Sequence, residues 1–132
     1  MAEPLVDITE RAYDALNRRD LDGFLEFVDP DVVMISLIAE AEGGSYRGHD
    51  GVREWWHRVA GSMGELRFSN QGAQQLDDEK LLVNLHVAGE VNGVEIEQRM
   101  WHALVIRDGR GVWWQAFRTE EEGLAALREH DG

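Results

Sequence analysis

Apolar positions recur at helical spacing over residues 5–16, where Leu5, Ile8, Ala12, Ala15 and Leu16 share one stripe. Asn17-Arg18-Arg19-Asp20 ends that run, and Asp20 is placed to cap a short second helix through Leu21, Phe24, Leu25 and Val28. Asp29-Pro30-Asp31 predicts a stop, because proline pushes its predecessor out of helical geometry. Residues 32–38 are β-branched and apolar and read as a strand. A loop over 40–44 and a short strand over 45–47 come next. Gly48-His49-Asp50-Gly51 then opens a third helix carrying Val52, Trp56, Val59, Ala60 and Met63 inward. From Leu66 the pattern changes to sheet: 66–76, 80–91, 94–107 and 112–118. A last helix over 120–129 carries Leu124 and Leu127. Helices, a strand, a helix and an antiparallel meander, in that order, predict one α+β domain with helices on one face of a curved sheet.

The turn Asn92-Gly93 fixes a register, since both residues tolerate positive φ. Val91 then opposes Val94, Val87 opposes Gln98, Leu85 opposes Met100 and Val83 opposes His102. One face holds Val83, Leu85, Val87, Ile96, Met100 and Leu104, together with Gln98 and His102. The other holds Asn84, His86, Glu97, Arg99, Trp101 and Ala103. A slip of one residue would bury Glu97 and Arg99, so the first face is the one that meets the helices. The second turn, Asp108-Gly109, leaves two parities open. A plain two-residue turn aims Trp113, Gln115 and Phe117 inward; a three-residue loop with a glycine bulge aims Val112, Trp114, Ala116 and Arg118 inward.

Composition narrows the function. The 132 residues fit one domain, and 43% hydrophobic content is enough for one core. The net charge is −13 and Lys80 is the single lysine, which sets the chain against nucleic acid and anionic membrane surfaces. No apolar run is long enough to cross a bilayer. The first residues carry acids where a signal peptide needs bases, so a cytoplasmic location is expected. Without cysteine there are no disulfides, thiolate metal sites or cysteine nucleophiles. His49, His57, His86, His102 and His130 lack ligand spacing, so no metal is expected, and without a Gly-rich phosphate loop no cofactor is expected either.

The stretch 12–23 (AYDALNRRDLDG), Asp29-Pro30-Asp31-Val32, Tyr46-Arg47-Gly48-His49-Asp50-Gly51-Val52, Arg107-Asp108-Gly109-Arg110 and the closing Glu-rich helix with Ala125-Ala126-Leu127 together resemble the SnoaL-like, polyketide cyclase-like branch of the nuclear-transport-factor-like and ketosteroid isomerase-like superfamily. The resemblance covers nearly the whole chain. It implies a cystatin-like α+β roll: a curved antiparallel sheet wrapped around N-terminal helices, with a cone-shaped cavity and usually a homodimer. It also favours the bulged second hairpin, with Trp114 and Ala116 inward. It does not imply one activity, because the fold hosts many. Ketosteroid isomerases of this superfamily use an aspartate base with a tyrosine and a protonated aspartate as donors. By resemblance the tyrosine position falls on Ala12, one residue short of Tyr13. The base position falls on Ser36 and the protonated acid on His102. The carboxylate that cyclases and epoxide hydrolases carry on the last strand falls near Ala116.

His102 is the ionisable group that the register places inside. It can serve as a catalytic acid or base, its ordinary pKa lying near neutrality. The plainer alternative is a neutral core histidine bonded to a backbone carbonyl or to Ser36. Tyr13 can turn its hydroxyl inward, although a tyrosine at a helix edge more often keeps it wet. Ser36, Gln98 and Met100 join Trp56 and Trp114 as expected ligand contacts, and Trp55 is a further possible wall. Glu40 and Glu42 lie where a loop would cap the mouth, and solvated loop acids are the plainer reading. The expectation is a binding or scaffold module for a small hydrophobic molecule; the alternative is a cyclase- or isomerase-type enzyme with His102 as acid or base on a ring-bearing substrate. An open cavity with His102 bonded to Ser36 or Tyr13 favours the enzyme, and a cavity plugged by Trp56 and Trp114 favours the scaffold. A homodimer through the outer sheet face is expected, because Trp101, Ala103, Val105, Trp113 and Phe117 would otherwise leave an apolar patch in water.

Overall fold

The computed structural model describes residues 4–36, 45–60 and 64–130. In chain order they form α1 (Leu5–Asn17), α2 (Leu21–Leu25), β1 (Val28–Ile35), β2 (Tyr46–Arg47), α3 (Gly48–Ala60), β3 (Gly64–Gln75), β4 (Lys80–Val91), β5 (Val94–Arg107), β6 (Arg110–Phe117) and α4 (Glu120–Glu129). The strands make one open sheet in the order β2-β1-β6-β5-β4-β3. The α+β class holds, with one qualification to the antiparallel sheet: β1 runs parallel to β6, with Val33 beside Trp113.

α1 buries Leu5, Ile8, Ala12, Ala15 and Leu16, the stripe that the periodicity predicts. Its last residue does a second job. Asn17 Nδ2 donates to the carbonyl of Phe68 at 2.8 Å, and its Oδ1 accepts from the amide of Phe68 at 2.7 Å. β3 is an edge strand, so these are backbone groups that no neighbouring strand pairs, and Asn17 satisfies both. Asn17→Ala is expected to cost about 1–3 kcal/mol, the range for leaving a hydrogen-bonded group without its partner. Urea unfolding checks it, and a loss below measurement would show that water replaces the clasp at no cost.

Asp20 caps α2 as expected, its side chain accepting from the Gly23 amide at 2.9 Å. The helix ends at Leu25, however, well before Pro30, and β1 begins at Val28. Long-range pairing accounts for the difference. The Gly111 amide donates to Phe27 at 2.8 Å, and Val28 pairs with Gly111, so β6 draws this segment into the sheet. Pro30 lies within the strand, where the β1–β6 register shifts between Val28 and Val33, an interruption that absorbs its missing N–H.

α3 buries Val52 and Trp55, while Trp56 is only half-buried. The expected inward Trp56 is therefore displaced by its neighbour. Gly51 is the cause: a Cβ there would meet the Tyr46 backbone at 2.9 Å, so the helix face bearing Gly51 lies against β2. Trp55, one turn further on that face, follows it inward. Trp56 instead lies under the Arg19 guanidinium, 5.7 Å from its ring centre. Leu37, Ile38, Glu40, Glu42 and Met63, with the side chains of Val59 and Ala60, lie outside the described residues.

The β4–β5 register matches the expected one pair by pair, from Val91–Val94 to Val83–His102. The β5–β6 turn combines the two expected forms. Arg107 opposes Arg110 across a two-residue turn with Asp108 and Gly109 at φ 52° and 77°. The register then shifts between Val105 and Ile106, which makes Val112 the extra residue. Trp114 and Ala116 point inward opposite Leu104 and His102, but Val112 does not join them; it packs on the outer side.

That outer side carries a second core. Leu82, Ala103, Val105, Phe117 and Leu127 pack together, with Trp101, Trp113 and Leu124 half-buried or at the margin. α4, capped by Thr119 accepting from the Glu122 amide, lies over them. It comes so close to β4 that a Cβ on Gly123 would stand 2.6 Å from Leu82 Cδ1. The chain itself therefore covers Ala103, Val105 and Phe117, which the sequence left for a partner.

Candidate functional site

Between the helices and the inner sheet face lies a cavity of about 160 Å³. β1 contributes Met34 and Ile35 to its wall, with Ser36 just beyond; α3 contributes Trp55; β3 gives Leu66 and Phe68. β4 and β5 add Val87, Ile96, Gln98, Met100 and His102, and β6 adds Trp114 and Ala116. Of the residues expected from the sequence, Ser36, Gln98, Met100, His102 and Trp114 line this space. Trp56 does not, and Trp55 takes its place. Gln98 lies at the exposed end of β5, whereas His102 is 4% exposed.

His102 is held by Tyr13. The phenolic oxygen lies 2.8 Å from His102 Nδ1. Tyr13 is itself buried, so its hydroxyl is not the wet group expected at a helix edge, and His102 bonds neither a carbonyl nor Ser36 through that nitrogen. The donor follows from satisfaction. A phenol that accepted from Nδ1 would leave its own hydrogen unpaired in the core, a cost of several times RT. Tyr13 therefore donates, Nδ1 accepts, and the proton of the neutral ring sits on Nε2. Nε2 makes no hydrogen bond to a described residue, and the ring lines the cavity.

The pair is neutral. Burial with no compensating charge lowers His102 to about 3 and raises Tyr13 well above the ordinary phenol range. Neither changes charge near neutrality. His102 is thus a fixed N–H donor and a poor proton acceptor, and no carboxylate stands among the described lining residues. Aromatic rings fix its plane: Trp114 meets it edge-on at 5.1 Å, and Tyr13 and Phe68 lie at 5.7 and 6.4 Å. Phe68 escaped the sequence reading, and Trp55, named there only as a further possible wall, proves to be the inward tryptophan of α3. Gly51 ahead of Val52 was the available sign for Trp55, and the alternation of β3 for Phe68.

Described residues contain no cluster of three potential metal ligands. Nor does any described helix have the length and apolarity to cross a membrane.

An open curved sheet, helices over its inner face and a cavity between them define the nuclear-transport-factor-like α+β class. Within it the chain belongs to the SnoaL-like domain family, whose model matches residues 9–114. Among solved structures it is similar to TerC, co-crystallised with polyporic acid, at 20% identity over 97% of this chain and 100% of that one, with a TM-score of 0.79. An NTF2-like protein of unknown function from Burkholderia pseudomallei shares 23% identity over 95% and 97% of the two chains, with a TM-score of 0.77. A computationally designed 17-OHP binder shares 13% over 92% and 95%, at 0.76. At these identities the likeness shows the fold. No curated protein matches the chain.

Proposed function

We propose that the chain binds a small, mostly apolar molecule in this cavity, with His102 Nε2–H donating to an oxygen acceptor on it. The observation that carries the reading is the Tyr13–His102 bond inside a cavity that the rings do not plug. Tyr13 sets the tautomer, so the imidazole in this mostly apolar wall presents a donor of fixed direction. The open cavity and the Tyr13–His102 bond meet the condition that the sequence sets for an enzyme. Binding still leads over catalysis because acid–base chemistry needs a second proton-transfer group, and no described lining residue is one. One feature favours an enzyme as the second reading: a neutral, rigid N–H donor in an apolar wall can polarise a carbonyl without changing its own charge. TerC, co-crystallised with polyporic acid, and the designed 17-OHP binder are consistent with either.

Native mass spectrometry of the chain after exposure to a mixed library of small terpenoids, steroids and polyketide fragments tests the reading. Retention of a neutral apolar compound, weakened about tenfold in His102→Phe, is expected from losing one buried hydrogen bond. Retention of nothing would overturn it. The same reading keeps a homodimer through the outer face, now limited to the half-buried Trp101 and Trp113 at the margin of α4. Light scattering at micromolar concentration should report twice the chain mass, and a monomer would remove the dimer.

A further inference from the structure

Resting on that reading, we infer that the ligand is an uncharged molecule of a single ring bearing one carbonyl or ether acceptor. Size comes first. A cavity of about 160 Å³ matches the roughly 150 Å³ engineered cavity that takes benzene. A molecule of three or four fused rings would have to extend out of the mouth beside Ile96 and Gln98. Shape agrees, because Trp55, Phe68 and Trp114 supply flat walls while Met34 and Met100 supply adaptable contacts.

Charge comes second. No described lining residue carries a formal charge, so an anion would lose its water with only neutral donors in return. Polarity is also uneven along the cavity. His102 stands at the buried end, while the hydrogen-bonding amide of Gln98 is at the exposed end. A ligand therefore places its acceptor inward and keeps any further polar group at the mouth.

Four probes separate these terms in titrations of the full chain followed by tryptophan fluorescence: acetophenone, ethylbenzene, benzoate and progesterone. Acetophenone is expected to bind about tenfold tighter than ethylbenzene, its near-isostere without the oxygen, as one extra hydrogen bond gives. Benzoate and progesterone are expected to bind at least tenfold more weakly than acetophenone. In His102→Phe the preference for acetophenone over ethylbenzene should vanish. The comparison among probes on the unmodified chain stands even if that variant folds poorly. Progesterone binding as tightly as acetophenone would overturn the single-ring limit, and benzoate doing so would overturn the neutral class; both would leave the cavity a binding site. Failure of all four probes would instead strike the binding reading beneath this inference.

Discussion

Acidification from pH 6.5 to pH 5 is expected to cost the unmodified chain about 2 kcal/mol of stability more than it costs His102→Gln. In the unfolded chain His102 takes up a proton near its ordinary value of 6.5; in the folded chain burial holds it to about 3. Between those limits the unfolded state binds one more proton than the folded state. Stability therefore rises with pH across this window and is lost as pH falls, at about 1.4 kcal/mol per unit. Glutamine keeps an acceptor for Tyr13 and removes the titration. The difference between the two chains also cancels the many carboxylates, which titrate alike in both. Urea midpoints at half-unit steps from pH 4.5 to 7.5 measure it. Parallel curves would mean that His102 reaches water. Tyr13 acts with the opposite sign at the alkaline limit: its folded pKa is raised, so stability falls once the unfolded phenol begins to ionise above about 10.

The largest loss is expected from Trp114→Ala, about 3–5 kcal/mol, the usual range for deleting a buried tryptophan. Its indole stands at the crossing of the ring cluster, 5.2 Å from Phe24, 5.8 Å from Tyr13, 6.3 Å from Trp55 and 5.1 Å from His102. It also lines both the main cavity and a smaller void of about 30 Å³ beneath α1 and α2. Removing it joins the two spaces. Two-ring ligands should then gain on one-ring ligands even as the protein weakens. Chemical denaturation reads the first effect, and a titration with acetophenone beside 1-acetonaphthone reads the second. Trp114→Phe, a smaller truncation, should lose less and shift selectivity less. A stability loss under about 1 kcal/mol would show that the cluster collapses into the gap.

Much of the sheet was legible because one signal fixed many residues at once. Asn92-Gly93 sets a two-residue turn, and period-two alternation then carries the assignment nine residues along both strands to His102. That is why the interior position of His102 was readable before any coordinate. Its partner was not. Tyr13 lies 89 positions away, and whether a phenol stays wet or turns inward depends on how far α1 sits from β5, which neither segment encodes alone. The same limit explains Trp55 and Trp56. Periodicity finds the apolar face of a helix to within one residue, and the contact of Gly51 with Tyr46 decides between neighbours. Part of the outer face follows the same limit: Leu124 and Leu127 form a legible helical stripe, but only the fold shows that α4 lays it over Ala103, Val105 and Phe117.

The parallel pairing of β1 with β6 has a kinetic consequence. Val33 and Trp113 stand eighty positions apart, so closing that ladder means ordering a long loop before any bond rewards it. The β4–β5 hairpin, turning on two residues, has no such delay. Assembly is thus expected to run from the meander inward and to finish at the β1–β6 seam. The cavity straddles that seam, with Met34, Ile35 and Ser36 on one side and the residues of β3, β4 and β5 on the other. An occupant bridges the contacts formed last. It should lengthen the lifetime of the folded chain by slowing unfolding, while leaving the rate of folding nearly unchanged.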